Sequence, residues 1–119
     1  MAVSPGFREY ALEQLARVVP GGVRARAMFG GVGIYAGARF FALLAGDALY
    51  LKGDDVTRGD FARAGMAPFV PGGDPAQAMS YFEVPPEILD DVDALAPWVD
   101  RALAAAERKG RRPARKRRG

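Results

Sequence analysis

Apolar residues recur at Phe7, Ala11, Leu12, Leu15, Val18 and Val19, close to the 3.6-residue period of a helix with one buried face. Ser4 and Pro5 supply an N-cap and a first-turn residue, and Pro20-Gly21-Gly22 ends the helix. From Val23 the spacing shortens to that of strands. Val23–Phe29, Val32–Ala36, Arg39–Ala45 and Ala48–Lys52 read as four short strands. Gly37-Ala38 and Gly46-Asp47 have the two-residue Gly-X form of a hairpin turn, so neighbouring strands run antiparallel in a meander.

Asp54-Asp55 then caps a second helix through Phe61 that stops at Gly65, with Val56 and Phe61 facing inward. A Pro/Gly-rich connection over Pro68–Pro75 leads to a fifth strand, Met79–Val84, stopped by Pro85-Pro86. Pro86 suits the first turn of a short helix. The last helix carries Leu95, Trp98, Val99, Ala102, Leu103 and Ala106 on one stripe, and Gly110 sits where a C′ residue belongs. The predicted class is α+β: an antiparallel meander sheet with an N-terminal helix and C-terminal helices packed on it.

Charge divides the chain in two. Residues 108–119 hold eight Lys/Arg and no acid, leaving nine basic groups against fourteen acidic ones in residues 1–107. The predicted organisation is therefore an acidic domain over 1–107 and a disordered basic tail over 108–119. The longest unbroken apolar stretch, Phe40–Ala45, is far short of the ~20 residues that span a bilayer. Arg8 and Glu9 stand where a signal peptide would be apolar, so a cytoplasmic protein without membrane contact is expected.

The chain has no cysteine and no histidine, which removes disulfides, thiol nucleophiles and imidazole as base or ligand. No cofactor or metal is expected. Gly31-Val32-Gly33-Ile34-Tyr35-Ala36 matches the G-x-G-x-x-A dinucleotide pattern, but that chemistry needs a helix N-terminus directly after the glycines. Here a strand and a hairpin turn follow, so the glycines are read as backbone devices. Glu87, Asp90, Asp91 and Asp93 form a polar helix start, where acids favour the positive end of the dipole.

Strand alternation offers a better candidate. Tyr35, Tyr50, Lys52, Tyr81 and Glu83 all fall opposite the apolar positions of their strands. If register aligns them, they line a second sheet face suited to a protein partner or a homodimer. Ordinary strand aromatics partly covered by helices remain the other reading. In the tail, Arg108, Lys109, Arg111, Arg112, Arg115, Lys116, Arg117 and Arg118 offer affinity for phosphate backbones. With no aromatic for base stacking among them, such binding is nonspecific; a merely solubilising end is the alternative.

Two runs carry a family resemblance: AMFGGVGIYAGARFFALLAGDALYLKGD at Ala27–Asp54 and MSYFEVPPEILDD at Met79–Asp91. Together they resemble the N-terminal domain of the TfoX/Sxy family of bacterial competence regulators, over roughly residues 7–106. The resemblance implies the same α+β arrangement and a role in transcriptional control of DNA uptake through partner proteins and promoter DNA. It transfers no catalytic residues. Larger members carry a separate C-terminal domain, and here a basic tail stands in that place. The expected function is a non-enzymatic regulatory module with tail-assisted DNA binding. A small ligand-binding or enzymatic domain, using Lys52 and Glu83 on the tyrosine face, is the alternative.

Overall fold

A computed structural model describes residues 2–28, 30–70 and 80–111. The elements run α1 (Pro5–Val18), β1 (Arg24–Met28), β2 (Gly31–Ala36), β3 (Arg39–Ala45), β4 (Ala48–Lys52), α2 (Arg58–Arg63), β5 (Tyr81–Val84), α3 (Pro86–Leu89) and α4 (Val92–Arg111). The five strands form one antiparallel sheet in the order β1-β2-β3-β4-β5. This is the predicted α+β meander.

Local chemistry sets the ends of the elements. Ser4 Oγ accepts from the Phe7 amide at 3.3 Å, the N-cap bond its type favours. Asp47, in the β3–β4 turn, accepts from the Ser4 amide at 3.0 Å and ties that turn to the start of α1. Gly37 and Gly46 adopt φ of 62° and 57° in the two hairpin turns, a conformation that L side chains rarely take. Asp91 starts α4 by accepting from the Asp93 and Ala94 amides at 3.1 and 3.3 Å.

One face of the sheet is the core face. Ile34, Leu44, Leu49 and Leu51 are fully buried there with Leu15 of α1 and Leu95 and Val99 of α4. Phe61 of α2 stacks on Phe82 of β5 at 4.8 Å and lies 5.1 Å from Trp98 of α4. α4 packs along β3 and β4, and α1 against α4, so the helices cover this one face.

Two helix boundaries depart from the sequence reading. Val56 is 68% exposed rather than inward, because Asp54 holds residues 54–57 in a hydrogen-bonded turn and the helix begins only at Arg58. α4 runs through Gly110 to Arg111, one residue past the glycine that was expected to stop it. Glycine weakens a helix without forbidding it, and here the last turn is pinned from outside by the Asp54–Arg108 pair. The tail assigned to 108–119 thus starts inside the helix. Residues 112–119, with the expectation of disorder, lie outside the described residues.

The dinucleotide-like glycines sit within β2. A Cβ at Gly31 would stand 2.5 Å from the Leu44 carbonyl oxygen, so close strand approach, not phosphate binding, accounts for the glycine there.

Candidate functional site

The second face of the sheet carries the aromatic residues. Arg24 pairs with Tyr35, Leu43 with Tyr50, Tyr50 with Glu83, and Lys52 with Tyr81, so register places Tyr35, Tyr50, Lys52, Tyr81 and Glu83 on one side. A bulge completes the row. Ile34 pairs with Ala42 but Tyr35 with Phe40, leaving Phe41 as the extra residue. Phe41 is fully buried in the core, while Phe40 stacks on Tyr35 at 5.0 Å and meets Tyr81 at 5.7 Å. The bulge shifts the alternation by one residue, so that Phe41 joins Ala42 and Leu44 in the core and Phe40 turns to the aromatic face.

The row has a dry end and a wet end. Tyr81 and Lys52 are 6% and 8% exposed, and the Lys52 ammonium lies over the Tyr81 ring at 5.0 Å. Burial pushes the Tyr81 phenol up to about 12 and pulls the Lys52 ammonium below its ordinary value. Tyr35, Phe40, Leu43 and Tyr50 are only half-buried. Arg24 stacks over Tyr35 at 5.0 Å, and Phe69 packs on Tyr50 at 4.8 Å. Phe69 is brought there because residues 67–69 pair with β5: the Phe69 amide donates to Tyr81 and the Glu83 amide to Ala67. The last turn of α4 reaches the edge of this face, where Ala106, Lys109 and Gly110 border a groove with Phe40, Lys52 and Tyr81.

Sequence reasoning missed Phe40, Phe69 and Arg24. Phe40 stood beside Phe41 in an apolar run with nothing to divide them, and Phe69 lay in a Pro/Gly-rich connection. Arg24 was visible at the start of a weakly alternating strand, but its stacking partner was not.

At the end of β4 the two layers are clamped. Arg108 donates to both carboxylate oxygens of Asp54, at 2.7 and 3.0 Å, and the Thr57 amide and hydroxyl add bonds to the same carboxylate. The Arg108 guanidinium, followed by the turn's hydrogen bonds, holds the Asp54 carboxyl below the usual carboxylate range. Arg108, expected in a nucleic-acid tail, is engaged within the domain instead. Arg101 makes a second bridge between α4 and α2, donating to Asp60 at 3.0 Å.

A depressed acid pKa stabilises the fold above the unfolded-state value and is lost as pH falls through the folded value. Asp54→Asn is therefore expected to lower stability by roughly 1–2 kcal/mol at neutral pH, between the worth of an exposed pair and a buried charged bond. The wild-type and variant curves should begin to approach each other as pH falls below about 4, the ordinary carboxylate pKa, and meet only below the depressed folded value. Urea unfolding across a pH series checks this, and two parallel curves would contradict it.

Among the described residues no three acidic side chains gather as metal ligands, and no helix is long and apolar enough to cross a membrane. The geometry defines a small two-layer α+β domain, with helices on one sheet face and an aromatic row on the other. The chain belongs to the TfoX N-terminal domain family, whose profile matches residues 13–106. No curated protein matches it at a significant level.

Proposed function

We propose that this domain is a regulatory interaction module. It docks a partner protein on the aromatic sheet face, and the basic C-terminal segment adds nonspecific contact with nucleic acid. The observation that carries the reading is the row Tyr35-Phe40-Tyr81 with Tyr50 and Phe69 beside it, half-exposed at the Tyr35 and Tyr50 end. Half-exposed aromatics on a rigid sheet supply contact area with little side-chain entropy to lose, which is why they concentrate in interfaces. Membership of the TfoX N-terminal family supports a regulatory role in DNA uptake. The same site supports enzymatic chemistry less well: its buried cation faces an aromatic ring, and Glu83 is exposed opposite Tyr50, two pairs along the ladder from Lys52.

The test places a photo-cross-linking phenylalanine analogue at Tyr35 and, as control, at Arg17, which is exposed on α1. Irradiated cells should yield discrete protein adducts from position 35 and none from position 17. Equal labelling at both positions, or none at position 35, would refute the docking face.

A further inference from the structure

Lys52 is the most unusual charge in the molecule. It is 8% exposed, yet its ammonium has neither a carboxylate partner nor a hydrogen-bonded carbonyl among the described residues. The Tyr81 ring offers it a cation–π contact, worth on the order of 2 kcal/mol when desolvated. Burying an unpaired ammonium costs several kcal/mol, so the ring alone does not offset the burial.

Two open grooves meet at this lysine. One, of about 520 Å³, is bordered by Lys52, Gly53, Asp54, Ser80, Arg108 and Lys109. The other, of about 270 Å³, has Phe40 and Tyr81 on its wall and shares Lys52 and Lys109 with the first. The acids along the first groove are already matched. Asp54 is bound to Arg108, and Asp55 lies 3.5 Å from Arg58. On the second groove Arg39 is paired with Glu107 at 3.5 Å. Among the described residues that leaves a pair of ammonium groups, Lys52 and Lys109; burial and then repulsion from Lys109 lower the Lys52 pKa, and Asp54 opposes them in part.

We propose that Lys52 and Lys109 bind a phosphoryl group where the last turn of α4 crosses the end of β4, with the Ser80 hydroxyl beside them. Two ammonium groups without an ion-pair partner among the described residues match a phosphate or phosphomonoester dianion, or two adjacent phosphodiesters of a nucleic-acid backbone, whereas a single carboxylate would leave one of them unmatched. Ser80 is held at the groove because its carbonyl accepts from the Gly53 amide at 2.8 Å. Phe40 and Tyr81 give the second groove an aromatic wall, against which a flat group attached to the phosphate would pack. The second groove shares Phe40 and Tyr81 with the aromatic row, but the two ammonium groups that define the site do not depend on the docking role proposed for that row.

The experiment is an amide NMR titration of the full chain with inorganic phosphate, against chloride at matched ionic strength. The Gly53, Ser80 and Lys109 amides should shift saturably with phosphate only. Lys52→Met should weaken binding about tenfold or more, the loss expected for one charge-assisted bond. That variant should fold at least as stably as the wild type without phosphate, since it removes a buried unpaired charge. Lys109→Ala, at an exposed position, should weaken binding without touching the core. A single-stranded oligonucleotide with a 5′-hydroxyl forms the second arm. If it shifts the same three amides in the wild type and not in Lys52→Met, the phosphoryl group comes from a nucleic-acid backbone. If it leaves them unmoved while phosphate shifts them, the ligand is a free phosphate or phosphomonoester. No saturable shift in either arm, or an equal shift in Lys52→Met, would overturn the site.

Discussion

Replacing Phe61 with alanine is expected to destabilise the domain by roughly 3–5 kcal/mol, the usual cost of emptying a buried aromatic position. Phe61 has no exposed surface, stacks nearly parallel on Phe82 with an interplanar angle of 8°, and touches Trp98. Its ring joins α2, β5 and α4, so its loss removes contacts from three elements at once. Domains of this size have about 5–15 kcal/mol in total, which makes this a large share. Thermal unfolding should show a fall of roughly 12–20 °C, at about 4 °C per kcal/mol for a chain near 100 residues. Trp98→Ala should cost less. One face of the indole rests on Phe61, but the Arg101 guanidinium lies over the ring at 4.6 Å and Trp98 is only half-buried. An effect of Phe61→Ala no greater than that of Trp98→Ala would show that the small helix α2 is not a structural part of the core.

The second large effect concerns nucleic acid. Arg112, Arg115, Lys116, Arg117 and Arg118 follow the last described residue, and replacing all five by glutamine brings the formal net charge from +3 to −2. The full chain should bind duplex DNA with a log–log salt slope of about −4 to −5 if those five cations meet phosphates. Its affinity should then fall by roughly 500-fold over a fourfold rise in salt. The glutamine variant should show no binding at moderate salt by fluorescence anisotropy. Retained binding with an unchanged slope would move the contact to the domain itself, where Arg24 and Arg26 are exposed on the β1 edge.

The choice of those five residues shows how sequence and tertiary structure divide the information. Eight cations in residues 108–119 are evident from the sequence, but their division is not. Arg108 looks like its neighbours until the fold brings Asp54, 54 positions earlier, within 2.7 Å. The effect of Gly110 is similar. A glycine after an apolar stripe reads as a stop, and only the clamp on Arg108 explains why the helix continues past it.

The sheet was legible for a different reason. Alternation and two-residue Gly-X turns act over distances of a few residues, so four strands, their antiparallel order and the side each tyrosine occupies follow from local sterics. The first helix also follows locally, from Ser4, Pro5 and the spacing of Leu15 and its neighbours. The glycines of Gly31-Val32-Gly33 were separable from a nucleotide fingerprint because a strand, and no helix, follows them.

By itself, the sequence determined the α+β class, the meander and which tyrosines fall opposite the apolar positions of their own strands. These depend on hydrophobic periodicity and turn chemistry, both of which are written in adjacent residues. Only the tertiary structure decided that a bulge at Phe41 turns Phe40 outward and that Phe69 returns to cover Tyr50. It also decided that Lys52 is buried at a groove it shares with Lys109, with no ion-paired acid among the described residues. Each of those depends on register or packing between segments, and a one-residue change in pairing reverses the face without altering the local pattern.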